Sequence, residues 1–382
     1  MPKVSVVLPI YNTSQYLREA LDSVVRQTLK DIEIICINDG STDDSLEIVK
    51  EYAAKDSRIV VIDKPNGGYG HSMNVGIDAS TGEYFGILET DDFLALTMFE
   101  DLYALAIEND LDTVRADFYR FTREDNGNMN LNYIKINREF DICGEVFNPS
   151  QDADYIRKTQ INTWAGIYRL SFLREYNIRH NETPGASFQD NGFFWQTQIY
   201  AKRSMLVNTP YYYCRRDNPN SSIRDVTKIW AMSQEYDFIR DILMRDKNVW
   251  HKFKDFYWLY KFWNYGFTEK LISQEFKREF ITYISKEYKR ACELGELTCK
   301  EFTVSEWSKI QFIAMNPEDY INKNFLNGDA LEKAKAEIKQ LRNQLENVGN
   351  AERWNHYILR MLKTMTRVFK RIFGGKETVD NE

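Results

Sequence analysis

The sequence predicts an α/β protein built on a mostly parallel sheet, and three observations predict it. Apolar runs of strand length alternate with helical periodicity through the first ninety residues. Such alternation implies a parallel sheet with helices on both faces. A polar, glycine-rich or acidic cluster follows each of several strands, where ligands of open α/β sheets bind.

The elements follow in order. Val4-Ser5-Val6-Val7-Leu8 reads as a strand, Ser14 to Gln27 as a helix, and Ile32 to Ile37 as the second strand. Ser45 to Lys55 is helical, Ile59 to Ile62 a strand, His71 to Ala79 a helix and Tyr84 to Leu88 the next strand. A further helix starts near Leu96. The pattern becomes irregular from Thr113, with a polar span over 122–132 and a second set of strands and short helices up to Arg216. This predicts a first domain over 1–225 and a helical, aromatic-rich domain over 226–327. A short coiled coil is predicted over 328–350, where Leu331, Ala334, Ile338, Leu341, Leu345 and Val348 keep a 4-3 spacing that permits self-association. Residues 351–382 form a basic amphipathic helix and tail. Its Trp354, Tyr357, Ile358 and Phe369 share one face, and Arg353, Arg360, Lys363 and Arg367 the other. In a chain of net charge -7, that segment reads as an anchor for anionic lipid or as a helix docked on the protein's own acidic surface.

At 382 residues the chain exceeds one ordinary core. Its acidic balance argues against nucleic acid as a partner. The aromatic share of 14% suits sugar platforms as well as cores. Five cysteines without metal-ligand spacing read as reduced thiols. Met1-Pro2-Lys3 runs straight into a strand without a secretory pattern, which predicts a cytoplasmic protein associated peripherally with the cytoplasmic membrane face.

Four strand-end clusters carry the chemistry. Pro9-Ile10-Tyr11-Asn12 offers a fixed backbone and a flat ring that suits a base. Asn38-Asp39-Gly40 places a carboxylate able to accept an imide N–H, although the same residues also fit a helix cap. Asn66-Gly67-Gly68-Tyr69-Gly70-His71-Ser72-Met73-Asn74 is a glycine turn opening a helix, placed to contact a diphosphate or ribose, and it fits neither of the two familiar phosphate-loop patterns. Glu89-Thr90-Asp91-Asp92 packs carboxylates that a hard cation such as Mg²⁺ or Mn²⁺ would relieve, or else forms a solvated acidic turn.

Together VSVVLPIYN, INDGSTDDS, NGGYGHSMNVGIDASTGEY and LETDDF resemble glycosyltransferase family 2 over residues 3–93. The resemblance implies the GT-A, Rossmann-like, nucleotide-sugar-binding fold and an inverting, metal-dependent transfer from a UDP-sugar. It implies that Asp39 holds uracil and that Asp91 and Asp92 meet the Mn²⁺ or Mg²⁺ ion. Pro9, Tyr11, Asn12, Gly68, Asn74, Glu89 and Asp91 would line the donor, joined by Arg216 and Ser221 closing over the diphosphate. Where the family usually has Asp, this chain has Glu89. The general base falls on Asp190 in Phe188-Gln189-Asp190-Asn191, with Trp164 and Gln189 on the acceptor side. The acceptor is expected to be a saccharide or a lipid-linked glycan in cell-surface polysaccharide assembly. A nucleotidyltransferase and a sugar-nucleotide-binding scaffold without turnover are the other readings.

Overall fold

The computed structural model describes residues 1–326, except 125, 139–141, 187 and 222–224, together with residue 340. Apart from residue 340, the expected coiled coil over 328–350 and the amphipathic segment over 351–382 lie outside the described residues. Contacts divide the chain into two units, Met1–Leu271 and Ile272–Glu382.

The first unit begins as the periodicity requires: β1 Val4–Ile10, α1 Ser14–Val25, β2 Ile32–Asp39, α2 Ser45–Ala53, β3 Ile59–Lys64, α3 Tyr69–Ala79, β4 Tyr84–Ile87. Then come β5 Phe93–Leu94, α4 Met98–Glu108, β6 Thr113–Arg123, β7 Met129–Ile134, β8 Val146–Phe147, α5 Asp154–Lys158 and β9 Gly166–Arg169. α6 Leu170–Glu175, α7 Asp190–Tyr200, β10 Ser204–Arg215, α8 Ala231–Leu243 and α9 Lys247–Leu271 complete it. The sheet runs β3-β2-β1-β4-β9-β6-β10-β5, with β7 beside β6 and β8 beside β10.

β1 to β4 pair in parallel, as expected from their apolar, helix-separated runs. The second half departs from a mostly parallel sheet. β9 lies antiparallel between β4 and β6, β10 returns parallel to β6, and β5, β7 and β8 pair antiparallel. The reason lies in the connections: β6 and β7 form a hairpin, and β9 is short enough to fill the gap beside β4. Chain order reverses between β1 and β4, which opens a crevice beyond their carboxyl ends.

The core follows burial. Val4, Val6, Val7, Leu8 and Ile10 of β1 are fully buried and pack with Leu17 and Leu21 of α1 and Met73 and Ile77 of α3. Position 225 lies inside the first unit, where α8 packs on α7 and α9 on α8 and α5. Tyr260 of α9 donates its hydroxyl to the carbonyls of Ile156 (2.5 Å) and Thr159 (3.1 Å), and its ring meets Trp195 of α7. Much of the aromatic excess is therefore packing, with Trp195, Tyr236, Tyr257, Tyr260 and Tyr265 essentially buried.

The described part of the second unit contains α10 Gln274–Glu293, α11 Val304–Met315, α12 Pro317–Ile321 and a π-helical turn at Asn322–Leu326. Thr303 and Glu306 close a reciprocal capping box at the start of α11. α10 packs on α11 and α12, and Phe280, Ile281 and Ile284 of α10 and Ile310 and Ile313 of α11 are buried. Among the described residues no helix is long and apolar enough to cross a membrane.

Candidate active site

A cleft of about 810 Å³ opens at the carboxyl ends of β1, β2 and β4. Its walls include Pro9, Tyr11, Asp39, Glu89, Asp91, Asp92, Trp164, Gln189, Asp190, Arg216 and Ser221. Residues from six separate stretches of sequence thus converge on one space.

Asp39 ends β2 and is 4% exposed. The N–H groups of Gly67 and Gly68 donate to its two oxygens at 2.7 and 2.9 Å, and the Lys64 ammonium pairs with it. A carboxylate offers about four lone-pair sites. With these partners in place, one acceptor position is left for a ligand N–H.

The acidic turn after β4 is held from several sides. Tyr69 of α3 donates its hydroxyl to Glu89 Oε1 at 2.7 Å, and the Glu89 N–H donates to the Tyr212 hydroxyl at 3.0 Å. Burial pushes the Glu89 carboxyl up to about 8, helped by the charges of Asp91 and Asp190 and opposed by the Tyr69 bond. Asn218 Nδ2 donates to Asp91 Oδ2 at 2.8 Å. Asp92 borders the cleft but is 4% exposed, and its Oδ1 accepts the Arg215 N–H at 2.6 Å. Burial and then Asp91 hold its carboxyl well above the usual range. Asp92 thereby braces the turn against the start of the 215–216 segment while it borders the cleft.

Asp190 is the first residue of α7 and reaches the cleft. Burial raises its carboxyl above the ordinary value, against the Asn191 side chain, which donates to its Oδ1 at 3.1 Å. Phe188 just before it holds φ at +65°, a left-handed conformation costly for an aromatic residue, and its ring meets Phe267 edge-on. Gln189 is buried, and its amide donates to Thr183 Oγ1 at 2.9 Å and to the Gly185 carbonyl at 3.2 Å. It secures the loop before Asp190. Trp164 is 7% exposed and wedged against Tyr212 and Phe118, with one edge at the cleft.

Three expected donor contacts are placed elsewhere. Asn12 turns its side-chain oxygen to the Thr42 N–H at 2.7 Å and braces the loop after β2. Asn74 is spent on the 180–182 segment: its Nδ2 donates to the His180 carbonyl and to Glu182, and its Oδ1 accepts the His180 N–H, each at 2.9 Å. Gly68, with φ at +86°, lies against the backbone of Thr183 and Gly185, where an added Cβ would stand 2.9 Å from the Gly185 nitrogen. The glycine turn is thus a seat for the 180–185 strand of chain, while its Gly67 and Gly68 amides hold Asp39. Gly70 completes that seat, with a Cβ position only 1.9 Å from the Asn181 carbonyl oxygen. Gly70→Ala should therefore cost about 1–3 kcal/mol by overpacking, measured as a lowered urea midpoint at unchanged m.

The family model described as Glycosyl transferase family 2 matches residues 5–197, just over half of the chain. The chain belongs to that family. The uncharacterized glycosyltransferase EpsJ of Bacillus subtilis is 32% identical over 223 residues, 58% of this chain and 63% of EpsJ. Glycosyltransferase GlyG of Streptococcus pneumoniae is 30% identical over 236 residues, 60% of this chain and 75% of GlyG. The crystal structure of S. aureus TarS 1-349 in complex with UDP superposes with a TM-score of 0.60 at 17% identity, covering 85% of this chain and 92% of TarS 1-349. This likeness supports a mixed α/β, GT-A-like fold with helices following the sheet domain.

The cleft is built with further residues that the motifs did not single out. Arg215 is the main one. Its Nε donates to the Asp91 carbonyl at 2.8 Å, its guanidinium pairs with Glu19 at 2.6 Å and Asp217 at 3.2 Å, and Tyr16 and Phe121 each hold it 4.6 Å from their ring centres. Tyr69, Tyr212 and Asn218 fix the acidic turn with it. The only sequence signal for them was proximity to the Tyr211–Arg216 run and to the glycine turn. Among the described residues no group of three or more His, Cys, Asp or Glu side chains is placed as a metal cage.

Proposed function

We propose that this family 2 enzyme transfers a sugar with inversion from a UDP-sugar to a saccharide or lipid-linked acceptor in cell-surface polysaccharide assembly. The carrying observation is that Asp39, the Glu89–Asp91 turn, Arg216 and Asp190 border one cleft at the strand-order switch. The remaining acceptor position on Asp39 suits the imide N–H of uracil, with Tyr11 and Pro9 at the same end. Arg216 and Ser221 suit the diphosphate, because a guanidinium matches phosphate geometry. Asp190 takes the proton of the attacking hydroxyl, and the carboxyl raised by burial is the stronger base.

The mutual repulsion among Glu89, Asp91 and Asp190 fits a divalent cation, with Asp91 as its protein ligand and Glu89 beside it. When bound, Mn²⁺ or Mg²⁺ supplies charge stabilisation for the leaving diphosphate. Residues 351–382 serve as the contact with anionic membrane, which keeps the enzyme at the cytoplasmic face, and residues 328–350 mediate self-association.

Calorimetry with UDP, UMP and GDP, in Mn²⁺ and again in EDTA, tests the donor and metal assignments. Uridine-selective binding that weakens at least about tenfold in EDTA, a difference of about 1.4 kcal/mol, is the expected result. Absence of UDP binding in both conditions would refute the donor assignment.

A further inference from the structure

Helix α7 carries Asp190 in its first turn, yet no side chain next to it caps that turn. The cap comes from 43 residues further on. Glu235 of α8, 1% exposed, accepts the Gly192 N–H on Oε1 at 2.7 Å and the Asn181 side-chain N–H on Oε2 at 3.0 Å. The Gly192 amide is among those a helix cannot satisfy within itself. A Cβ on Gly192 would stand 2.5 Å from Glu235 Oε1 and 2.7 Å from the Phe238 ring, so glycine is what lets α8 come this close. The same carboxyl thus ties together α7, α8 and the 180–185 segment that seats on the glycine turn. It lies outside residues 5–197, which carry the family match.

We propose that Glu235 is a positioning residue for Asp190: it fixes the first turn of α7 and through it the direction in which the base meets the acceptor hydroxyl. The inference rests on Asp190 as the base. Burial, and then the charge of Asp190, push the Glu235 carboxyl up to about 8, as expected for a group kept inside for its hydrogen bonds. Both oxygens are used, and neither touches the cleft wall, so Glu235 acts through α7 and not on substrate.

The test compares Glu235→Gln, Glu235→Asp and Glu235→Ala with the parent. Gln keeps an acceptor for Gly192, Asp falls one methylene short, and Ala removes the cap. Hydrogen exchange across residues 189–195 and the kinetics of UDP release from a UDP-sugar panel are the two readouts. Expected are exchange at least about tenfold faster in the Asp and Ala variants, kcat down about ten- to a hundredfold, KM for the donor within about twofold, and recovery of most of the rate in Gln. A folded Asp or Ala variant with parental exchange and kcat would overturn the proposal; if Ala does not fold, Asp against Gln decides. Asp190→Asn is run beside them. Turnover persisting there refutes the base, whereas its loss together with a parental rate in Glu235→Asp refutes only the positioning. If no donor in the panel is turned over by the parent, the exchange comparison decides the cap.

Discussion

Asp190→Asn is expected to lower kcat by about 10²–10⁴-fold while leaving UDP affinity within about twofold. The substitution is nearly isosteric, and the Asn191 side chain that now donates to Asp190 Oδ1 finds an amide oxygen in the same place. What disappears is the ability to accept a proton. The donor groups proposed here, Asp39 and the Asp91 turn, are anchored by Lys64, Gly67, Gly68, Asn218 and Arg215, none of which bonds to Asp190. Binding and chemistry should therefore separate. The check is UDP release kinetics beside calorimetric UDP binding; a variant that turns over at the parental rate would remove Asp190 from the mechanism. Loss of both turnover and UDP binding would show that the carboxylate supports the donor site instead.

The parallel half of the sheet was legible because each strand is an apolar run and each helix has a clear stripe; β1 and β2 simply extend a residue or two past the sequence estimate. The antiparallel half was not, since β5, β8 and β9 are two to four residues long and owe their existence to neighbours rather than to pattern. The same contrast runs through the site. Asp39, Asp91 and Asp190, which the structure brings to one cleft, were legible because two of them are strand-end carboxylates and the third stands where the family resemblance puts an acidic residue ahead of aromatics. Asn12, Asn74 and Gly68 were drawn to the donor because they sit inside a recognisable string, but that string is largely a packing device: it seats the 180–185 segment and ties off loop ends. Tyr69 and Tyr212 were missed because a hydroxyl that holds a carboxylate is indistinguishable, in one dimension, from an aromatic in a core. Glu235 was missed for a similar reason, lying in an amphipathic helix whose carboxylates look solvated until the fold buries one.

Arg215→Met is expected to cost about 3 kcal/mol of stability, at the lower end for loss of one partner from a buried ion pair, and to remove most activity. Both Arg215 and Arg216, the latter favoured by the sequence, border the cleft, and the Arg215 side chain is only 4% exposed. Methionine fills the slot between Tyr16 and Phe121, so the loss is not simply a cavity. Glu19 is partly exposed and can regain water, which keeps the penalty from reaching the value for a fully buried carboxylate. The Asp91 carbonyl loses the Arg215 Nε donor outright. Freed from that bond, the turn loses the link that aims Asp91 at the cleft, while Asp92 keeps its bond to the backbone N–H of residue 215. Urea unfolding and calorimetry with UDP in Mn²⁺ measure the two effects. A stability loss below about 1 kcal/mol would place the pair in the class of surface ion pairs; a loss of stability with full metal-dependent UDP binding would mean that Tyr69, Tyr212, Asn218 and the Asp92 bond to the residue 215 N–H suffice to hold the turn.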